Sequence, residues 1–134
     1  MPSYANEDEL LRYTGGIFLK AFEDPELLPK IKEANLVFAV KCTEPDSAIT
    51  VDFVDLKVSK GADGTEDAAL LMSTDTSNAY WQGKVNLPFA MARGKVKVEG
   101  NVAKLLTLSP LSKKLVPIYL EMLKEDARED LVVE

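Results

Sequence analysis

Side chains able to do acid–base, nucleophilic or metal chemistry are sparse in this sequence and poorly grouped. There is no histidine, and Cys42 is the one cysteine. The commonest general base, the Ser-His and Cys-His nucleophile pairs and imidazole-ligated metals are therefore out of reach. Cys42 lies in line with Leu36, Phe38 and Val40 on one predicted strand face. An unactivated thiol among apolar neighbours is a packing residue. Calcium loops fail on inspection. Counting from Asp75 puts Tyr80 where glycine is required and Asn86 where glutamate is required, and counting from Asp63 puts Ala68 at the glycine position. Gly94 and Gly100 flank a predicted strand, so they open no phosphate loop. The pairs Glu66/Asp67 and Asp52/Asp55 read as solvated charges. Were a pocket to hold a shifted carboxylate or phenol, Tyr80, Tyr119 and Asp75 would be the groups to inspect. No catalytic residue, metal site or cofactor is assigned, and the expectation is a non-enzyme. Such an inventory suits holding a ligand better than changing one.

The elements that would position a ligand follow from periodicity. Residues 7–23 predict an amphipathic helix carrying Leu10, Leu11, Ile17, Phe18, Ala21 and Phe22 on one face. Gly15 and Gly16 inside it mark a close approach or a bend. Asp24-Pro25 signals a new helix start. The period then drops to two. Residues 36–40 form a buried strand; Ile49, Val51 and Phe53 alternate in a second, which Leu56 and Val58 continue; residues 69–73 form another. Short links between them favour antiparallel pairing. Residues 75–77 cap a short helix through Tyr80 and Trp81. Residues 88–92 form a helix or turn. Lys95-Val96-Lys97-Val98-Glu99 alternates cleanly between glycines. Asn101 caps another short helix, and Ser109-Pro110 opens the last one, which holds Leu111, Leu115, Ile118 and Met122 with Pro117 inside. The charged tail from Glu125 is expected to fray. Helix, strands, helices, strand, helices is the order of an α+β fold with helices on a mainly antiparallel sheet.

With 134 residues, 46% hydrophobic and 28% charged, the chain has the make-up of one globular domain, residues 1–134, and not of a disordered segment. The formal net charge of -6 argues against nucleic acid as a partner. That charge is uneven. Between residues 78 and 117 there are seven basic residues and one acid, Glu99, so this stretch carries +6 and the remainder -12. The lone cysteine suits a reducing compartment. No apolar run spans a bilayer, the N-terminus lacks signal-peptide order, and the C-terminus is not a peroxisomal address. A soluble cytoplasmic protein is expected.

The segment from Asp75 to Leu108 is the most informative. Tyr80-Trp81, then Leu87-Pro88-Phe89-Ala90, then Gly94-Lys95-Val96-Lys97-Val98, then Gly100-Asn101 follow one another in an order that resembles the sterol-carrier-protein-2 family. The upstream strands and first helix fit the same order, so the resemblance extends over residues 30–125. It implies a five-stranded, mainly antiparallel sheet covered by helices. It also implies a hydrophobic tunnel between sheet and helices that takes sterols, fatty acyl chains, isoprenoids or other lipids.

Physics agrees with such a ligand. An alkyl chain gains roughly 0.8 kcal/mol per CH₂ on leaving water. A C16 chain thus supplies on the order of 10 kcal/mol before ordering costs. Large adaptable side chains suit that pocket. The candidate contacts are Phe38, Val51, Phe53, Met72, Tyr80, Trp81, Phe89, Met91, Leu106, Leu115, Ile118, Tyr119 and Met122. Lys95 and Lys97 share one strand face and are candidates for transient contact with an anionic membrane. Lipid binding or transfer is the leading function. The first alternative is an accessory protein that presents a lipid intermediate to an enzyme partner. A small isomerase or cyclase is the second.

Overall fold

The computed structural model describes residues 4–133. The first helical stretch begins as α1 (Glu7–Leu10), widens into a π-helical turn (Leu11–Gly15) and continues as α2 (Gly16–Phe22). Asn6 caps it by accepting from the Glu9 amide at 3.0 Å, while Glu9 accepts from the Ala5 amide at 3.0 Å. Both glycine expectations hold in that stretch. A Cβ on Gly15 would meet Val58 at 2.9 Å, and one on Gly16 would meet the Met122 methyl at 2.6 Å. The helix widens where a strand and the last helix press closest. Asp24 then turns the chain by accepting from the Glu26 amide at 2.8 Å, and α3 (Leu28–Ala34) follows.

The sheet comprises β1 (Val37–Thr43), β2 (Ser47–Asp52), β3 (Lys57–Lys60), β4 (Ala68–Ser73) and β5 (Lys97–Gly100), in the order β3-β2-β1-β4-β5. It is mostly antiparallel, as expected, with one exception: β4 lies parallel to β1. Asp67 makes that junction. Its carboxylate accepts from the Val37 amide at 2.9 Å, its amide donates to the Val37 carbonyl at 2.8 Å, and its carbonyl accepts from the Asn101 amide at 2.9 Å. Leu56 and Val58 do not continue β2. The Asp52 carboxylate accepts from the Val54 and Asp55 amides at 2.8 Å each, Leu56 takes a left-handed φ of 56°, and the chain reverses into β3.

Four helices complete the fold: α4 (Thr74–Tyr80), α5 (Leu87–Ala92), α6 (Val102–Leu105) and α7 (Leu108–Glu125). Ser73 caps α4, Asn86 caps α5 and Asn101 caps α6, each accepting from a first-turn amide. The cap of α4 thus precedes the expected one by two residues. The tail is docked where fraying was expected. A 3₁₀ turn (Glu129–Leu131) buries Leu131, and Arg128 donates to the Tyr13 hydroxyl at 3.2 Å. Among the described residues no helix is long and apolar enough to cross a membrane.

Candidate functional site

Strand alternation sends Phe38, Val40 and Cys42 of β1, Ile49 and Val51 of β2, and Leu70 and Met72 of β4 into one core with the helices. Phe18 of α2 sits at the centre of that layer. Its ring is 5.3 Å from Trp81 and 5.5 Å from Phe38, both edge-on, and 5.8 Å from Phe53. Edge-to-face contacts at these separations are favourable beyond their area. Trp81 is held by an indole N–H donated to Ser77 Oγ at 3.1 Å. These side chains fill the space between sheet and helices where the resemblance places a tunnel.

A line of polar groups crosses the otherwise apolar interior. The Tyr4 hydroxyl lies 2.6 Å from that of Tyr119 and 3.3 Å from Thr14 Oγ1. Tyr119 in turn donates to Asn78 Oδ1. Asn78 Nδ2 and Gln82 Nε2, one helical turn apart, both donate to the Leu131 carbonyl at 2.8 Å, and Gln82 Oε1 accepts from the Val133 amide at 2.8 Å. No buried side-chain N or O among the described residues lacks a partner. Burial, only partly offset by its hydrogen bonds, pushes the Tyr4 phenol up to about 12. Burial first, and the Tyr4 hydroxyl second, raise Tyr119 further, while burial also raises Tyr80. Phenols held protonated in this way make poor general bases near neutral pH. Burial likewise pushes the Cys42 thiol up to about 12, against an opposing hydrogen bond with Ser77.

The most suggestive opening is a cleft of about 460 Å³ between the segment following α4 and the last helix. Tyr80, Gly83, Val85 and Leu87 form one wall; Ser112 and Val116 belong to the other. Tyr80 and Ser112 share a hydrogen bond at 2.9 Å that ties the two walls together. Lys84 and Lys113 also line it. A second groove of about 580 Å³ includes Lys41, Leu71, Met72, Lys95 and Lys97 beside β5.

The thirteen sequence-predicted contacts divide into three settings. Phe38, Val51, Phe53, Trp81, Leu115, Tyr119 and Met122 are buried in the core. Tyr80 and Met72 are buried but line the first and second openings, while Ile118, half-buried, lines a further cleft beside Pro117. Met91 is half-buried against the core, and Leu106 and Phe89 are exposed. Lys95 and Lys97 are exposed, with Val96 buried between them. The cleft residues Gly83, Val85, Ser109, Ser112 and Val116 were missed. A signal for the last three existed: with Lys113 they form an i, i+3, i+4, i+7 stripe on α7.

The class defined by this arrangement is an α+β domain with a five-stranded, mostly antiparallel sheet, helices over an apolar layer, and a cleft beside the last helix. The chain belongs to the SCP-2 sterol transfer family, whose model matches residues 18–113. Among solved structures it is similar to the sterol carrier protein domain 2 of Helicoverpa armigera, with a TM-score of 0.69 at 18% identity over 87% of this chain and 95% of that one. Sterol carrier protein 2 of Yarrowia lipolytica, in its apo form, gives a TM-score of 0.62 at 24% identity over 73% and 85%. Sterol carrier protein 2 of Aedes aegypti in complex with palmitate gives 0.52 at 23% identity over 65% and 91%. At these identities the likeness is one of fold. No curated protein matches the sequence.

Proposed function

We propose that residues 1–134 form one carrier domain that binds and transfers a hydrophobic, lipid-like molecule. The observation that carries this reading is the family match over residues 18–113, to which the chain supplies an apolar layer and an adjoining cleft. A volume of about 460 Å³ falls within the range of small-molecule pockets. The acyl or isoprenoid chain lies along Tyr80, Leu87 and Val116 and penetrates toward Trp81 and Leu115, opening the tunnel by displacing side chains that now fill it. The core residues among the sequence-predicted contacts, Phe38, Val51, Phe53, Tyr119 and Met122, line its deeper part. Palmitate in the Aedes aegypti relative supports a fatty acyl chain as one ligand class. The reading assigns no catalytic residue and no cofactor, and it places the protein in the cytoplasm, which the lone unpaired Cys42 favours. Exposed Lys95 and Lys97 support transient approach to an anionic membrane.

Titration with a fluorescent fatty acid tests the reading. Saturable binding is expected. Val116→Trp, which fills the cleft opposite Gly83, should weaken it by about tenfold or more, a change of ~1.4 kcal/mol. Unsaturable uptake, or binding indifferent to Val116→Trp, would count against this site. The same domain serving an enzyme partner is the second reading, because a ubiquinone synthesis protein, UbiJ-SCP2, shares the fold at a TM-score of 0.59. Stable co-purification with a biosynthetic enzyme would favour it.

A further inference from the structure

The surface of α5 differs from the rest of the molecule in charge and in apolar exposure. Leu87 and Ala90 anchor this helix on the core, and Pro88, Phe89 and Ala92 face outward. Phe89 is 57% exposed, more than any other large apolar side chain among the described residues. One exposed apolar side chain is ordinary on a protein surface; what distinguishes Phe89 is the charge around it.

Cations surround it. The Arg93 guanidinium lies 4.4 Å from the centre of the Phe89 ring. The Lys95 and Val96 amides donate to the Ala90 carbonyl at 2.9 and 3.3 Å, which folds Lys95 back against the end of α5. Lys84 and Lys113 line the cleft next to Pro88. No carboxylate occurs in the sequence between Asp75 and Glu99. Among the described residues none of Lys84, Arg93, Lys95, Lys97 or Lys113 forms an ion pair; Lys20, Lys30, Lys32 and Lys124 are unpaired as well, so it is the lack of acids in this stretch that sets the face apart. With Glu99 the one acid between residues 78 and 117, the positive potential of this face is left largely uncompensated. The alternative apolar pair, Leu19 and Leu120, belongs to helices whose shared cleft is rimmed by Glu23, Asp24 and Glu121 against one cation, Lys20, a balance that an anionic surface would repel.

We propose that α5 and its flanks are the surface by which this protein docks on an anionic bilayer, with Phe89 inserted at the headgroup level and Lys84, Arg93, Lys95 and Lys113 on the surrounding phosphates. A free phosphate or small anion would engage the cations and leave the ring in water; a bilayer satisfies both. Each cation near such a surface raises partitioning about fivefold. Docking there brings the cleft mouth beside Pro88 to the membrane. The inference rests on the lipid-carrier reading for its purpose only, since docking itself needs no ligand in the cleft.

The test is co-sedimentation of the full chain with phosphatidylcholine vesicles, with and without phosphatidylserine. Binding should require phosphatidylserine and weaken as salt is raised. Arg93→Glu combined with Lys95→Glu should lower it by about tenfold or more. Lys32→Glu, exposed on α3, should leave it unchanged, and circular dichroism checks that each variant folds. An environment-sensitive fluorophore on Phe89→Cys should shift to the blue only with the anionic vesicles. Equal partitioning to both vesicle types, a probe that stays in water while the protein binds, or equal losses from Lys32→Glu and the α5 pair would each overturn the proposal. Fatty-acid titration without vesicles separates the two readings. A charge-reversed protein that still takes up fatty acid but fails to dock isolates the docking surface. A wild-type protein that docks but takes up none overturns the carrier reading alone.

Discussion

Asn78 stands where three distant parts of the chain meet: α4, Tyr119 of α7 and the Leu131 carbonyl of the tail. It is 2% exposed, so its partners have no water to replace it. Asn78→Ala would leave the Tyr119 hydroxyl, Gln82 and the Leu131 carbonyl short of partners, and should cost about 2–3 kcal/mol in urea denaturation. Tyr119→Phe should cost about 1–2 kcal/mol, and the double variant less than the sum, because both remove the same bond. Nothing in the sequence signalled this network. Asn78 and Gln82 are unremarkable singly, Tyr119 stands out only as a candidate pocket residue, and their meeting depends on how α4, α7 and the tail pack. Titration belongs at this scale too. Folded Cys42 and Tyr4 hold their protons up to about 12, against ordinary values of 9.0 and 10.0. The folded state therefore binds these protons more tightly than the unfolded chain. The stability is present in full below pH 9 and is lost as pH rises toward 12. Denaturation midpoints should fall across that window, and Cys42→Ala should flatten the fall. Native Cys42 should resist alkylation near neutral pH, becoming reactive on unfolding.

At the scale of elements, local rules predicted much and pairing rules little. The burial alternation of β2, the capping residue Asn101, and the glycine pair in the first helical stretch were all legible, because each depends on neighbours within a few residues. The parallel pairing of β4 with β1 was not. Alternation says which side chains share a face but not which strand lies alongside. The reversal at Leu56 was hidden for a related reason: Leu56 and Val58 alternate like a strand themselves, and only a one-residue slip of phase after Phe53 marks the break. Helix α5 is too short for its phase to separate the exposed Phe89 from the buried Leu87, so the sequence offers Phe89, and not Leu87, as a ligand contact. The junction at Asp67 yields a sharp comparison. A Cβ on Gly100, at φ 84°, would lie 2.5 Å from the Asp67 carbonyl oxygen, whereas Gly64, at φ 87°, has nothing within 4 Å. Gly64→Ala should cost about 1 kcal/mol for backbone strain alone. Gly100→Ala should cost about 3 kcal/mol or more, because backbone must move as well. Thermal denaturation of the two variants checks the difference.

The whole molecule is tied together by its ends and divided by its charge. Arg12 pairs with Asp126 at 2.9 Å, and Arg128 reaches both Glu9 and the Tyr13 hydroxyl, so the first helical stretch and the tail hold one another. A charged tail looks soluble and loose in sequence; its single large apolar residue before the final valines, Leu131, is what docks it. Truncation after Arg128 should destabilise the fold by about 2–4 kcal/mol through lost burial and two stranded amides. The charge division places an uncompensated basic surface beside the cleft, while acids dominate elsewhere. A protein built this way is suited to collecting an apolar cargo at one face. Native mass spectrometry of freshly purified protein, with extraction of whatever it holds, tests that central claim most directly. The account predicts a reproducible small lipid-like adduct, released on denaturation and exchangeable for added fatty acid. A protein that carries nothing and takes up neither fatty acid, sterol nor isoprenoid would contradict it.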